Sequence, residues 1–120
     1  MKQFWDPEDS RTLRAALDRI VPADDYPSAS ELGCDAFIQG LIEQDRELGL
    51  VYRTGLRLLR DRRFADLTVP ERDEILLEME SHPFVQLLIR QTIEGYYSDP
   101  GNGGNRDGRS WEMVGFEVRG

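Results

Sequence analysis

Apolar residues in this chain recur at three- and four-residue spacing, and nowhere do they alternate with polar ones over a useful length. That pattern admits helices and leaves no material for a sheet. Capping residues and prolines then cut it into segments. Asp6 is placed as an N-cap before Pro7, with Glu8 and Asp9 suited to the positive end of a first helix. Leu13, Ala16, Leu17 and Ile20 form its apolar stripe, and Pro22 stops it. The stretch PADDYPSAS, 22–30, reads as a turn-rich loop.

Ser28 with Glu31 resembles a capping box and predicts a second helix through Ala36, Phe37, Leu41 and Ile42. Gly33 and Gly40 weaken it locally. Gly49 marks a break or a close helix approach. Leu48, Val51, Tyr52, Gly55, Leu56, Leu59 and Phe64 carry the next apolar face. Opposite lie Arg53, Arg57, Arg60, Arg62 and Arg63, most simply a solvated face. Thr68, Pro70 and Glu71 open another helix, with Ile75, Leu76 and Met79 as its stripe. Ser81, His82 and Pro83 punctuate. Phe84, Leu87, Leu88, Gln91 and Thr92 then lead a last helix toward Tyr96 and Tyr97. The expected fold is all-α. Four to five helices form a small bundle over residues 1–97. An extended glycine-rich C-terminal tail, 98–120, belongs to the same domain or docks on a partner.

Charge narrows the function classes. The 120 residues hold 23 acidic and 15 basic side chains, a net charge of −8. A nucleic-acid binder needs a basic surface to displace counterions, so nucleic acid is not an expected partner. No apolar run is long enough to insert into a membrane. Cys34 is the sole cysteine, which excludes an internal disulfide and reads as a small buried hydrophobe. The start, MKQFWDPEDS, shows neither an apolar h-region nor a twin-arginine pair. The expected location is therefore cytoplasmic, or periplasmic if a leader has been removed.

The stretch EGYYSDPGNGGNRDGRSWEMVGF, 94–116, invites comparison with several known chemistries. Gly101 and Gly103 begin a dinucleotide fingerprint, but Arg106 stands at its last place and no strand precedes it. A calcium loop starting at Gly103 lacks carboxylates at its first and twelfth places. Other oxygen-rich geometries using Asp99, Asn102, Asn105 and Asp107 stay open. His82 follows Glu78 by four residues, yet two groups do not make a metal site. His82 fits better as a helix-end residue. A binding role suits the segment: Arg106 offers a planar fork of donors, and Tyr96, Tyr97, Trp111 and Phe116 are types that anchor interfaces. The competing reading is that Trp111 and Phe116 fold back into this chain's own core.

Thr92, Glu94, Gly95, Tyr96, Tyr97, Ser98, Asp99 and Pro100 spell a T-x-E-G-[YF]-[YF]-[SA]-D-P signature. Gly103, Gly104, Asn105, Arg106 and Asp107 continue it, then Trp111, Gly115 and Phe116. With DRIVPADD, 18–25, this resembles the gluconate 2-dehydrogenase subunit 3 family over nearly the whole chain. The resemblance implies a non-catalytic small subunit with no cofactor of its own. Its partner would be a large FAD-dependent sugar or polyol dehydrogenase of the glucose–methanol–choline type, sometimes joined by a cytochrome subunit. The expected partner-binding residues are Tyr96, Tyr97, Asp99, Asn102, Gly103, Gly104, Asn105, Arg106, Asp107, Trp111 and Phe116. Two other readings compete. One is a stand-alone metal- or ligand-binding helical protein using His82, Glu78 and the Asn/Asp tail. The other is a helical interaction module with no redox link.

Overall fold

The structure, a computed structural model, describes residues 6–98. Among them are five helices and no strand: α1 (Pro7–Ile20), α2 (Cys34–Gln44), α3 (Arg46–Asp61), α4 (Val69–Glu78) and α5 (Pro83–Tyr96). A short 3₁₀ turn, Phe64–Asp66, links α3 to α4.

The helix starts follow local chemistry. Asp6 accepts from the Asp9 amide at 2.9 Å, and the Asp9 carboxylate accepts in return from the Asp6 amide at 3.2 Å. Thr68 and Glu71 form the same reciprocal box ahead of α4. His82 caps α5, its Nδ1 accepting from the Phe84 amide at 3.1 Å.

Two boundaries differ from the sequence reading. Ser28 and Glu31 do make reciprocal hydrogen bonds, but these head a turn. α2 begins only at Cys34, because Gly33 holds the left-handed region at φ 86°. Gly49 reads as a break or a close helix approach; the break lies at Asp45, which ends α2 in an extended conformation and caps α3 by accepting from the Leu48 amide at 3.1 Å. Gly49 is buried within α3. On α2 the buried positions are Cys34, Ile38 and Ile42, a strict four-residue spacing. Ala36 is exposed, and Phe37 and Leu41 are half-buried.

The core gathers Leu13, Ala16 and Leu17 of α1 with Cys34 and Ile38 of α2, Tyr52, Leu56 and Leu59 of α3, and Phe84, Val85 and Leu88 of α5. Each large apolar side chain so removed from water contributes about 1.5–3 kcal/mol. α3 meets α5 closely where Gly55 faces the Phe84 ring: a Cβ there would lie 2.1 Å from the ring carbon Cγ. Tyr52 crosses the same seam. Its ring meets Phe84 edge to face, with centroids 5.6 Å apart, and its hydroxyl donates to Gln91 Oε1 at 2.6 Å. The loop after α1 is held by Asp18, which accepts from the Ser30 amide at 2.8 Å and its hydroxyl at 2.7 Å.

α4 buries only Ile75 and is tied on largely by arginines. Arg19 of α1 makes a two-pronged pair with Asp73, at 2.7 and 3.0 Å. Arg62 pairs with Glu78 at 2.6 Å, and Arg72 donates to the carbonyls of Phe64 and Ala65. The arginines after Tyr52 are therefore more than a solvated face. Arg60 reaches α1, donating to Asp6 and, at 2.9 Å, to the buried carboxylate of Asp9.

Candidate partner-binding site

α5 carries the start of the expected site. Its inner side is set by Phe84, Leu88, Thr92 and Tyr96. Tyr96 is buried, and its hydroxyl donates to the Pro27 carbonyl at 2.9 Å, clamping the end of α5 to the 22–33 loop. Its ring meets that of Tyr97 edge to face, with centroids 5.2 Å apart. Tyr97, one residue further on, is 41% exposed. The Tyr-Tyr pair thus divides by one helical step, about 100°. Tyr96 ties the helix end to the body, and Tyr97 presents its ring outward.

Ile89 and Ile93 extend that outward ring into a stripe. They precede Tyr97 by eight and four residues and are 41% and 43% exposed. The spacing places all three on one flank of α5. The signal was present in the sequence as a second four-residue repeat, offset by one from Leu88, Thr92 and Tyr96. The core stripe beside it masked it. Of the tail expected from Ser98 onward, only Ser98 is described; its hydroxyl donates to the Gly95 carbonyl at 2.9 Å. Asp99, Asn102, Gly103, Gly104, Asn105, Arg106, Asp107, Trp111 and Phe116 lie outside the described residues.

Of the residues of the metal-site reading, Glu78 and His82 are engaged elsewhere, and the Asn/Asp tail lies outside the described residues. The guanidinium of Arg62 hydrogen-bonds the Glu78 carboxylate and holds its pKa below the usual value. The Nδ1 of His82 is spent on its helix cap. Among the described residues, no three His, Cys, Asp or Glu side chains gather as a cation site requires. Cys34 is fully buried beside the Thr92 carbonyl, 3.7 Å away. Burial, with the charges of Asp35 and Asp18, pushes its thiol up to about 12, so it carries no reactive thiolate at neutral pH. The Tyr52 phenol is likewise raised, mainly by burial. An open hollow bordered by Asp6, Arg57, Arg60 and Asp61 is occupied chemically by its own ion pairs. No described helix is long and apolar enough to cross a membrane.

The described residues define a small all-helical chain with a closed core, an outward apolar flank on its last helix, and polar groups largely satisfied within the fold. Residues 7–118 match the family model described as gluconate 2-dehydrogenase subunit 3, and the chain belongs to that family. The match begins at the first residue of α1 and takes in all five helices. No curated protein and no solved structure matches the chain.

Proposed function

We propose that this chain is the non-catalytic small subunit of a flavin-dependent carbohydrate dehydrogenase. The family match over residues 7–118 is the observation that carries this reading. In it the large subunit binds FAD and oxidises a sugar or glycoside hydroxyl. This chain binds that subunit and stabilises its folded form, and a cytochrome subunit joins where the complex passes electrons onward.

The end of α5 supports docking in that region. Ile89, Ile93 and Tyr97 offer helix-spaced anchors of the kind that enter a groove. They run up to Ser98, after which the chain continues into the segment that holds Asp99, Asn102, Gly103, Gly104, Asn105, Arg106, Asp107, Trp111 and Phe116. In this reading Trp111 and Phe116 supply apolar anchors, and Arg106 and Asp107 supply charge-assisted hydrogen bonds to the partner. In this reading a few strong anchors carry most of the affinity.

The test is binding of the purified chain to its flavoprotein, measured with Trp111→Ala and Arg106→Ala. Each is expected to weaken the complex by about tenfold or more, the range of interface anchors, while helicity stays unchanged. Wild-type affinity in both variants would remove the tail from the interface.

A further inference from the structure

The apolar stripe of α5 ends where the chain leaves the helix. Ile89 and Ile93 are exposed on it, and Tyr97, the residue that closes the helix, follows one turn later. From Ile89 to Tyr97 the helix rises about 12 Å. Whatever covers this stripe must bring apolar groups at a matching spacing. The chain itself carries such a segment. Twenty-two residues follow Ser98, and among them Trp111, Met113, Val114 and Phe116 are apolar. The connection, 99–110, begins with Pro100, Gly101, Gly103 and Gly104, residue types suited to reversing direction. Trp111 and Phe116 stand five residues apart, which spans up to roughly 17 Å in an extended chain.

We propose that in the uncomplexed chain the segment Trp111–Phe116 covers the stripe formed by Ile89, Ile93 and Tyr97. Running back from the end of α5, it sets Trp111 beside Tyr97 and Ile93 and brings Phe116 to Ile89. The family match runs to residue 118, two residues beyond Phe116, so the segment belongs to the same unit as the helices. The inference goes beyond the proposed function. There the stripe and the segment both face the flavoprotein; here each shields the other until that partner displaces the segment.

A second copy of this chain fits the stripe less well. Three side chains on one helix flank fall short of the roughly 1,200 Å² that stable interfaces bury. Association also costs two molecules translational freedom, which a tethered segment has already lost. Through a short flexible connection the segment acts at an effective concentration of about millimolar.

The experiment follows Trp111 in the full chain without any partner, in a Trp5→Phe background that makes it the single tryptophan. Acrylamide quenching and emission wavelength are read in the folded and the urea-unfolded chain, and again with Ile89→Ser/Ile93→Ser and with Phe116→Ala. In the folded parent, Trp111 is expected to emit at shorter wavelength and to be quenched less than in urea. The serine pair is expected to shift the balance of covered and open forms toward open by about tenfold or more, with helicity unchanged. Phe116→Ala lies beyond the last helix and is expected to act in the same direction, so it decides if the serine pair loses helicity. Equal quenching in the folded and unfolded parent overturns the packing. Protection that survives both variants puts the indole elsewhere and overturns it too. Protection lost on dilution, in a species with the mass of a dimer, assigns the stripe to a second copy and likewise overturns it. All of these are read without the flavoprotein, so a chain that fails to bind flavoprotein overturns the proposed function alone.

Discussion

Gly55 shows how one missing side chain sets a helix contact. The Phe84 ring occupies the volume in which a Cβ would stand, 2.1 Å from its Cγ. Gly55→Ala must displace a fully buried ring, so it is expected to destabilise the fold by about 1–3 kcal/mol, the usual cost of overpacking, read from urea unfolding. Gly40, in α2, has open space around it, and Gly40→Ala is expected to stabilise by about 0.5–1 kcal/mol through helix propensity. Tyr52→Phe removes the donor that satisfies buried Gln91 and is expected to cost about 1–3 kcal/mol. Cys34 needs no side-chain change to test. Its thiol is expected to resist a thiol reagent at neutral pH and to react once urea unfolds the chain, since burial both shields it and raises its pKa.

At the scale of elements, the helices depend unequally on core and caps. α4 buries one side chain, so its reciprocal Thr68–Glu71 box carries a larger share of its stability. Thr68→Ala is expected to cost about 1 kcal/mol and to raise amide exchange in α4 before the other helices, as hydrogen exchange would show. The capping chemistry was legible in the sequence at Asp6, Thr68 and His82, because a short acceptor before a proline-bearing turn has few other uses. It was less legible at Gly33 and Asp45. Glycine reads as a weak helix residue unless its φ is known, and Gly49 is a more conspicuous break signal than Asp45. The arginines of α3 were legible as a polar face only. That Arg60 turns back to Asp9 depends on how α1 crosses α3, which no spacing within either helix records. Tyr96 and Tyr97 look alike in sequence, and only the direction of α5 divides their roles.

At the scale of the whole molecule, the ionisable groups define a pH window. Asp6, Asp66, Asp73, Glu71 and Glu78 are all held below their ordinary values of 3.8 and 4.5. For Asp6 and Glu71 the first cause is a hydrogen bond from a backbone amide; for Asp66, Asp73 and Glu78 it is one from Arg11, Arg19 and Arg62. Their lowered folded-state values mean that the stability they add is present above the ordinary values and is lost as pH falls through the folded ones. Cys34 and Tyr52 act in the opposite direction. Their values are raised by burial, so the stability tied to their neutral forms is intact below 9.0 and declines as pH rises beyond it. The melting temperature is therefore expected to be flat near neutrality, to fall below the carboxylate range and to fall again on the alkaline side. Calorimetry across pH checks both edges, and a profile that rises toward acid would contradict the ion-pair assignments.

The family match gives this chain an accessory-subunit role, and the central claim of the proposed function is that its partner is a flavoenzyme. The most direct measurement is purification of the affinity-tagged full chain from its own host, followed by native mass, flavin absorbance and sugar-dependent dye reduction on the same sample. The expected result is a yellow complex with a large subunit in fixed ratio, oxidising a sugar or glycoside with electrons passed to the dye. A colourless chain of its own mass, inert toward sugars while the host makes the flavoprotein, would contradict it.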